Sequence, residues 1–509
     1  MTKFSRIVSF QWMQIGVIVL VGVTVRWSVS LNAYSGAGKP PMFGDYEAQR
    51  HWMEITTNLA IDQWYENGTD NDLLYWGLDY PPLTAYHSWI CGKVSSFLNP
   101  DWVELYASRG YESYEHKLFM RYSVLVVDLL LYIPAVLLLC WVDSSKRMLS
   151  FDWLMVAMVI LLYPGLIVID HGHFQYNNAS LGFCLLAIIA VTTGHDLWGS
   201  ISFVLALNYK QMELYHAMPF FCYLLGKCFR SSDENGLWKL IKIGVIVIAS
   251  FIICWLPFLT TVETILQVVH RLFPFARGLY EDKVANFWCS IEPILRTKEK
   301  FSQDIILKIA LVSTVGALLP SSLHLLYKPT VRSFRLALVN SSLAFFLFSF
   351  QVHEKSILLV ALPVCMMLQD RPFASTWFLL ISTLSMFPLL VKDGQALSTS
   401  ALCLLFLLAS RTLLDSQKLK QHIAVRIIFW LSILGMSVLC AFHLVIPPPP
   451  KYPDLYPLFI SAYSCAHFLV FFAYCQYLQF TTTDDEKVRG PTDETFRNTK
   501  TKRKVHKKD

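Results

Sequence analysis

The feature that most constrains this chain is the number of its apolar runs, many of them close to the length a bilayer demands. A crossing helix needs about 20 mostly apolar residues to span the hydrocarbon core. By that rule membrane helices are expected near 9–27, 119–141, 151–169, 177–194, 197–209, 213–227, 238–259, 304–327, 334–350, 356–369, 373–391, 396–413, 423–446 and 455–479. The runs at 197–209 and 356–369 are short. Charged residues make up 16% of the chain, against about 25% in ordinary soluble domains. A soluble enzyme, a secreted disulfide scaffold and a disordered chain are thereby excluded. The expected fold is an all-α polytopic membrane protein with about fourteen transmembrane helices.

Charge orients the spans. The first run is long, and Arg26 and Trp27 follow it without a small-residue cleavage pattern, so it reads as a signal anchor rather than a cleaved signal. If Lys3 and Arg6 are cytosolic, the even-numbered loops should be basic. They carry Lys146, Arg147, Lys227, Arg230, Lys328, Arg332, Arg335, Arg371, Arg411, Lys418 and Lys420, and the tail adds Arg503, Lys504, Lys507 and Lys508. Both termini are then cytosolic. Much of the net charge of +6 lies on that side, which argues for membrane orientation rather than nucleic-acid binding. Most of the twelve cysteines sit in apolar runs as small hydrophobes; Cys91 and Cys289 lie in polar-flanked segments where pairing is left open.

The opposite face collects a different vocabulary. Its first loop, about 30–118, is long, acidic-leaning and rich in Trp and Tyr, so it should fold against the membrane surface. The other loops there carry Asp170 to Asn177, Phe273 to Trp288, and Gln351 to Lys355. Asn67-Gly68-Thr69 is a glycosylation triplet in the first loop, which suggests that this face is the endoplasmic reticulum lumen. The triplets at Asn178 and Asn340 fall at a membrane entry and inside a span, and read as accidental.

Several polar groups are candidates for chemistry. Asp45 follows Gly44 at the start of a helix, so it is either an N-cap or a carboxylate placed to meet a lipid-borne donor. Group transfer to a sugar hydroxyl needs one general base, and a phosphate leaving group needs cations rather than an acid. Asp45 suits the first role; Arg277, Lys283, His353 and Lys355 suit the second. Trp76, Asp79 and Tyr80 make either a rigid turn or a sugar platform. His171 and His173 with Asp170 read mainly as polar cavity lining. A metal site is disfavoured, because residues at i and i+2 share a direction only on an extended segment and no further ligands are near. Asp70-Asn71-Asp72 reads as a solvated loop rather than a metal-binding Asp-x-Asp. Lys210 and Glu213 either pair across a short turn or line a cavity.

Five blocks carry a resemblance: Gly44 to Trp52, Gly77 to Pro82, Asp170 to Asn177, Glu281 to Trp288, and Gln351 to Lys355. Together they resemble the dolichyl-phosphate-glucose-dependent glucosyltransferases of the endoplasmic reticulum. The Gly-Asp-Tyr-Glu-Ala-Gln-Arg-His form of the first block is similar to the branch that adds the first glucose. The resemblance implies a type C glycosyltransferase fold with a large lumenal first loop. It implies inverting transfer of an α-1,3-linked glucose from dolichyl phosphate glucose to Man9GlcNAc2-diphosphodolichol, with no metal or other cofactor. The matching base is Asp45. Expected substrate-binding residues are Glu47, Arg50, Trp76, Asp79, Tyr80, Asp170, His171, His173, Gln175, Tyr176, Lys210, Arg277, Asp282, Lys283, His353, Glu354 and Lys355. The chain then divides into a cytosolic 1–8, a catalytic membrane module 9–350 that includes the lumenal loop 30–118, C-terminal helices 351–480, and a basic cytosolic tail 481–509. A second glucosyltransferase or a dolichyl-phosphate-mannose-dependent mannosyltransferase of the same fold is the nearest alternative, and a membrane transporter a remote one.

Overall fold

The computed structural model describes residues 3–145, 152–230, 235–273 and 283–481. Lys146, Arg147, Arg277, Asp282 and the tail beyond 481 lie outside them, with the orientation and binding expectations placed there. Among the described residues the regular structure is helical throughout. Every expected span coincides with helix, but the helices differ in length. Among the described residues eight are long and apolar enough to cross a membrane, and a ninth candidate is a pair, Trp153–Leu161 and Pro164–Phe174, bent by 41°. The remaining expected spans, such as Asn177–Thr192 and Asp196–Tyr209, are shorter helices. Two of the long helices, Gly236–Phe258 and Ile423–Val445, are mostly exposed along their apolar surface, as lipid-facing helices are.

One buried ionic contact of the interior lies at the first span. Arg26 is buried inside the bundle and does not flank the first span. Its guanidinium bonds to Asp128 at 3.2 Å and to the Leu161 carbonyl at 2.8 Å. His171 approaches the same carboxylate at 2.5 Å. Intramembrane charges persist where they are paired, and this trio ties the first span to the second and to the bent pair. The second span, Tyr114–Ser144, accommodates Asp128 through a π-helical turn at Asp128–Tyr132. All twelve cysteines are free and buried, so Cys91 and Cys289 are not bridged.

The first loop folds as expected into short helices on one end of the bundle, principally Asp45–Asn58 and Pro82–Leu98. A tight connector delivers the first of these. Gly36 has φ 73°, and a Cβ there would collide with the Phe43 carbonyl; Gly44 has φ 128° and presses on Ser35. Only glycine permits that approach. The chain leaves the first span, doubles back and enters the helix at Asp45.

Candidate active site

Asp45 is the first residue of its helix, and the N-cap position belongs to Gly44. Its carboxylate does not cap. One oxygen, Oδ2, accepts from Gln175 Nε2 at 2.5 Å and from Lys355 Nζ at 2.5 Å, with His173 Nε2 at 3.1 Å. These partners are 128 to 310 residues away in sequence. Burial pushes the Asp45 carboxyl up, but the Lys355 charge beside it outweighs that and holds it well below the usual carboxylate range. The group is therefore an anion at neutral pH, seated where the helix dipole also favours one.

The turn that supplies His173 and Gln175 explains why the two histidines part company. Val168–Phe174 is a π-helical turn that ends in extended backbone at Gln175. On it His171 faces Asp128 in the interior while His173 faces Asp45. Neither the shared direction needed for a metal pair nor a common cavity wall results, and His171 is a structural partner of Asp128. Among the described residues the group of His, Cys, Asp and Glu close enough to hold a metal ion is Cys184, Glu213 and His216, buried elsewhere.

A cavity of about 500 Å³ opens beside Asp45. Its polar wall includes Trp76, Asp79, Tyr80, Gln175, Lys210, His353 and Lys355, and its apolar wall includes Leu181, Leu214, Phe345 and Leu358. Trp52 packs on Tyr80 with ring centroids 5.0 Å apart and donates its indole N–H to the Trp76 carbonyl at 2.8 Å, which fixes the aromatic turn. Lys210 Nζ lies 5.3 Å from the Tyr80 ring centroid and donates to Asn177 Oδ1. Burial and the nearby Lys355 charge push the Lys210 pKa down to about 8. Lys210 is not paired with Glu213, which bonds His216 at 2.7 Å instead.

Behind the wall runs a directed chain of amides. Asp170 accepts from the Asn178 backbone N–H at 2.7 Å and from Asn177 Nδ2 at 2.7 Å, neutralising the start of the helix Asn177–Thr192. Asn177 Nδ2 also donates to Gln175 Oε1 at 3.0 Å, which turns the Gln175 N–H toward Asp45. Asp170 and Tyr176, the latter bonded to Ser123 at 2.6 Å, are thus supports outside the cavity wall.

The remaining expected residues separate cleanly. Glu47 and Arg50 are buried in a cluster with Glu54, Ser108 and Tyr75, joined by a bidentate Arg50–Glu47 pair at 2.7 and 2.8 Å. They lock the helix to the loop and do not line the cavity. Lys283 also lies off the cavity, half-exposed and 3.3 Å from Asp454. Glu354 is not a lining residue. Asp70 binds the Tyr106 hydroxyl and Asp72 accepts from the Leu74 N–H, a loop-stabilising arrangement. Asn67 is exposed, whereas Asn178 and Asn340 are buried.

Sequence reasoning missed three contributors. Asp393, in the turn after Phe387–Lys392, contacts His173 Nδ1 at 2.6 Å. Arg271, on the helix Val262–Leu272, lines the cavity and donates to the Leu78 and Gly77 carbonyls at 3.1 and 2.8 Å. Gln211 lines it as well and donates to the Asp79 carbonyl at 3.0 Å. The one available signal for Asp393 was its place in a charged loop between expected spans on the same face as Asp45.

Four of the segments that meet here each hold one non-glycine residue at positive φ: Phe43 at 63°, Trp76 at 51°, Phe174 at 92° and Gln351 at 56°. Such conformations cost about 1–3 kcal/mol each and cluster at functional sites.

The sequence pattern of the ALG6, ALG8 glycosyltransferase family matches residues 19–474. The chain is 53% identical over 488 residues to the dolichyl pyrophosphate Man9GlcNAc2 alpha-1,3-glucosyltransferase of Gallus gallus, covering 91% of this chain and 96% of the relative. It is 52% identical over 490 residues to the Mus musculus protein of the same name, covering 92% and 96%. A Dictyostelium discoideum protein, named as a probable enzyme of that kind, is 46% identical over 504 residues, covering 93% and 97%.

Proposed function

The chain belongs to the ALG6, ALG8 glycosyltransferase family, and from that premise we propose that it is the α-1,3-glucosyltransferase acting on dolichyl-pyrophosphate-linked Man9GlcNAc2, with dolichyl phosphate glucose as donor. Asp45 is its general base. The observation that carries this reading is the convergence of Gln175, His173 and Lys355 on one oxygen of an ionised carboxylate at a cavity with one aromatic, polar wall and one apolar wall.

The reaction requires the acceptor 3-hydroxyl to lose its proton while the anomeric carbon loses phosphate. Asp45 takes the proton. The phosphate departs with the bonding electrons, so no strong acid is needed; Lys355 and Lys210 supply the compensating positive charge, and His353 lines the cavity beside them. Lys355 has two tasks. At 2.5 Å it neutralises Asp45 while the donor is absent. An inverting displacement places hydroxyl and phosphate on opposite faces of the sugar carbon, so the Asp45–Lys355 contact must open as substrates enter. Once Lys355 turns to the phosphate, Asp45 loses the charge that held its proton affinity down and becomes a stronger base at the moment it is needed. Trp76, Asp79 and Tyr80 hold a sugar, and the apolar wall accommodates the isoprenoid end of the donor.

The active face is lumenal in this reading, the membrane that of the endoplasmic reticulum, and both termini cytosolic. In support, Asp45, Gln175, Lys210, Lys355 and Asp393 all come from loops on one end of the helices, opposite the basic ones. Exposed Asn67 is the glycosylation acceptor on the same face. The test is transfer by purified protein in detergent from dolichyl phosphate glucose to the Man9GlcNAc2 lipid. Asp45→Asn should insert and fold yet lose turnover; near-normal transfer by that variant removes Asp45 from the mechanism.

A further inference from the structure

Asp45 does not stand alone behind the cavity. His173 is buried, and its two ring nitrogens face opposite ways: Nδ1 lies 2.6 Å from Asp393 Oδ2, and Nε2 lies 3.1 Å from Asp45 Oδ2 and 3.2 Å from Lys355 Nζ. A carboxylate has no proton to donate, so the hydrogen of that first contact sits on Nδ1. In the neutral ring the tautomer is thereby set: Nε2 carries the lone pair, and the donor to it is the Lys355 ammonium, which bridges Nε2 at 3.2 Å and Asp45 Oδ2 at 2.5 Å. Besides these three groups, Arg121 adjoins the same turn, donating to the Gly172 carbonyl at 2.8 Å. The loop carrying Asp393 is tied to the first loop at two other points: Lys39 Nζ donates to the Lys392 carbonyl at 2.8 Å, and Gln395 Nε2 to the Ala33 carbonyl at 2.6 Å. The site is therefore built from both ends of the chain.

We propose that Asp393 is a positioning residue of the transfer reaction, acting through His173, which receives from Asp45 the proton taken from the acceptor hydroxyl. This rests on the reading of Asp45 as base. The acceptor O–H bond breaks as its oxygen bonds the anomeric carbon, and the carbon–phosphate oxygen bond breaks with its electron pair leaving on the phosphate. The proton goes to Asp45 and then across the 3.1 Å contact to Nε2. That transfer is open only when Lys355 has turned from Nε2 to the phosphate, since the lysine otherwise occupies the lone pair. The imidazolium so formed lies between two carboxylates, and Asp393 stabilises it without touching a substrate. Release of product returns the proton to solvent. The cavity thus resets its base from behind, while the acceptor still blocks the front.

The experiment is a double-mutant cycle on kcat in the purified full chain. Asp393→Asn should lower kcat by at least about tenfold, short of the 10²–10⁴ carried by a general base, with donor KM within about twofold. Adding Asp393→Asn to His173→Asn should cost nothing further, because the aspartate acts only through that ring. Asp393→Glu, which keeps the carboxylate, should recover part of the loss and serves if the amide variant folds poorly. Lys39→Ala cuts a different tie of the same loop and should leave kcat unchanged. Wild-type turnover by Asp393→Asn, multiplying losses in the cycle, or an equal loss in Lys39→Ala would each overturn the proposal. Asp45→Asn separates the two failures: if it stays active the base assignment itself falls, whereas an inactive Asp45→Asn with an active Asp393→Asn removes the relay alone.

Discussion

The helix Asp45–Asn58 holds two charged clusters, and their difference teaches how this molecule separates support from chemistry. The first, Glu47, Arg50, His51 and Glu54, is local: its ion pairs are spaced three and four residues apart, and the side chains are 0–2% exposed. Each charge meets its partner on the same helix, and Ser108 and Tyr75 complete the cluster from the loop. The second joins Asp45 to residues from distant segments, and Asp45 remains 25% exposed toward the cavity. A closed cluster, buried away from the cavity and paired within its own helix, has little to offer a substrate. One that relies on a movable lysine and opens to a cavity does.

The largest effect expected from breaking this contrast is on the open cluster. Asp45→Asn removes the base and should cost about 10³–10⁴ in kcat, with thermal stability close to that of the parent, as measured by transfer assay and melting. The closed cluster should respond the other way. Arg50→Ala leaves Glu47 buried without its cation and Glu54 with His51 alone, a loss of about 3–5 kcal/mol in stability that is read in melting or yield and not in the KM of surviving protein. The closed cluster is also acid-sensitive. Burial pushes the Glu54 carboxyl up, but the His51 hydrogen bond and the Arg50 charge outweigh it and hold it at about 2 against an ordinary 4.5. A depressed carboxylate contributes stability that is full above pH 4.5 and is lost as pH falls toward 2.

Lys355→Gln should cost about 10²–10³ in kcat through weaker stabilisation of the leaving phosphate. It also removes a charge that depresses Asp45, so the acid limb of the remaining rate should move to higher pH. An unmoved limb would show that Lys355 does not tune the base. Smallest of all, Asp70→Ala alters an exposed loop contact with Tyr106 and should change stability by no more than about 0.5 kcal/mol and transfer not at all.

What was readable in advance follows this local and non-local divide. The helices could be placed because an apolar run of sufficient length has few other fates in lipid. Asp45 stood out because a glycine-rich connector set it at a helix start beside the membrane. Glu47 and Arg50 lay in the same motif and looked equally functional, since a linear motif does not show which side of a helix is buried against a loop. His171 and His173 looked alike for a similar reason: their divergence depends on a π-helical turn that spacing does not reveal.

By itself the sequence determined the membrane-spanning class, the face on which the polar loops gather, and the membership that long ordered motifs carry. Those are consequences of hydropathy and of short-range pattern, which survive without knowledge of packing. Only the tertiary structure decided which of many polar residues meet. Asp393 reaches His173 across 220 residues and Lys355 reaches Asp45 across 310. Contacts between side chains so far apart are set by how the helices pack, and a charge in a loop has no chemistry until that packing gives it a neighbour.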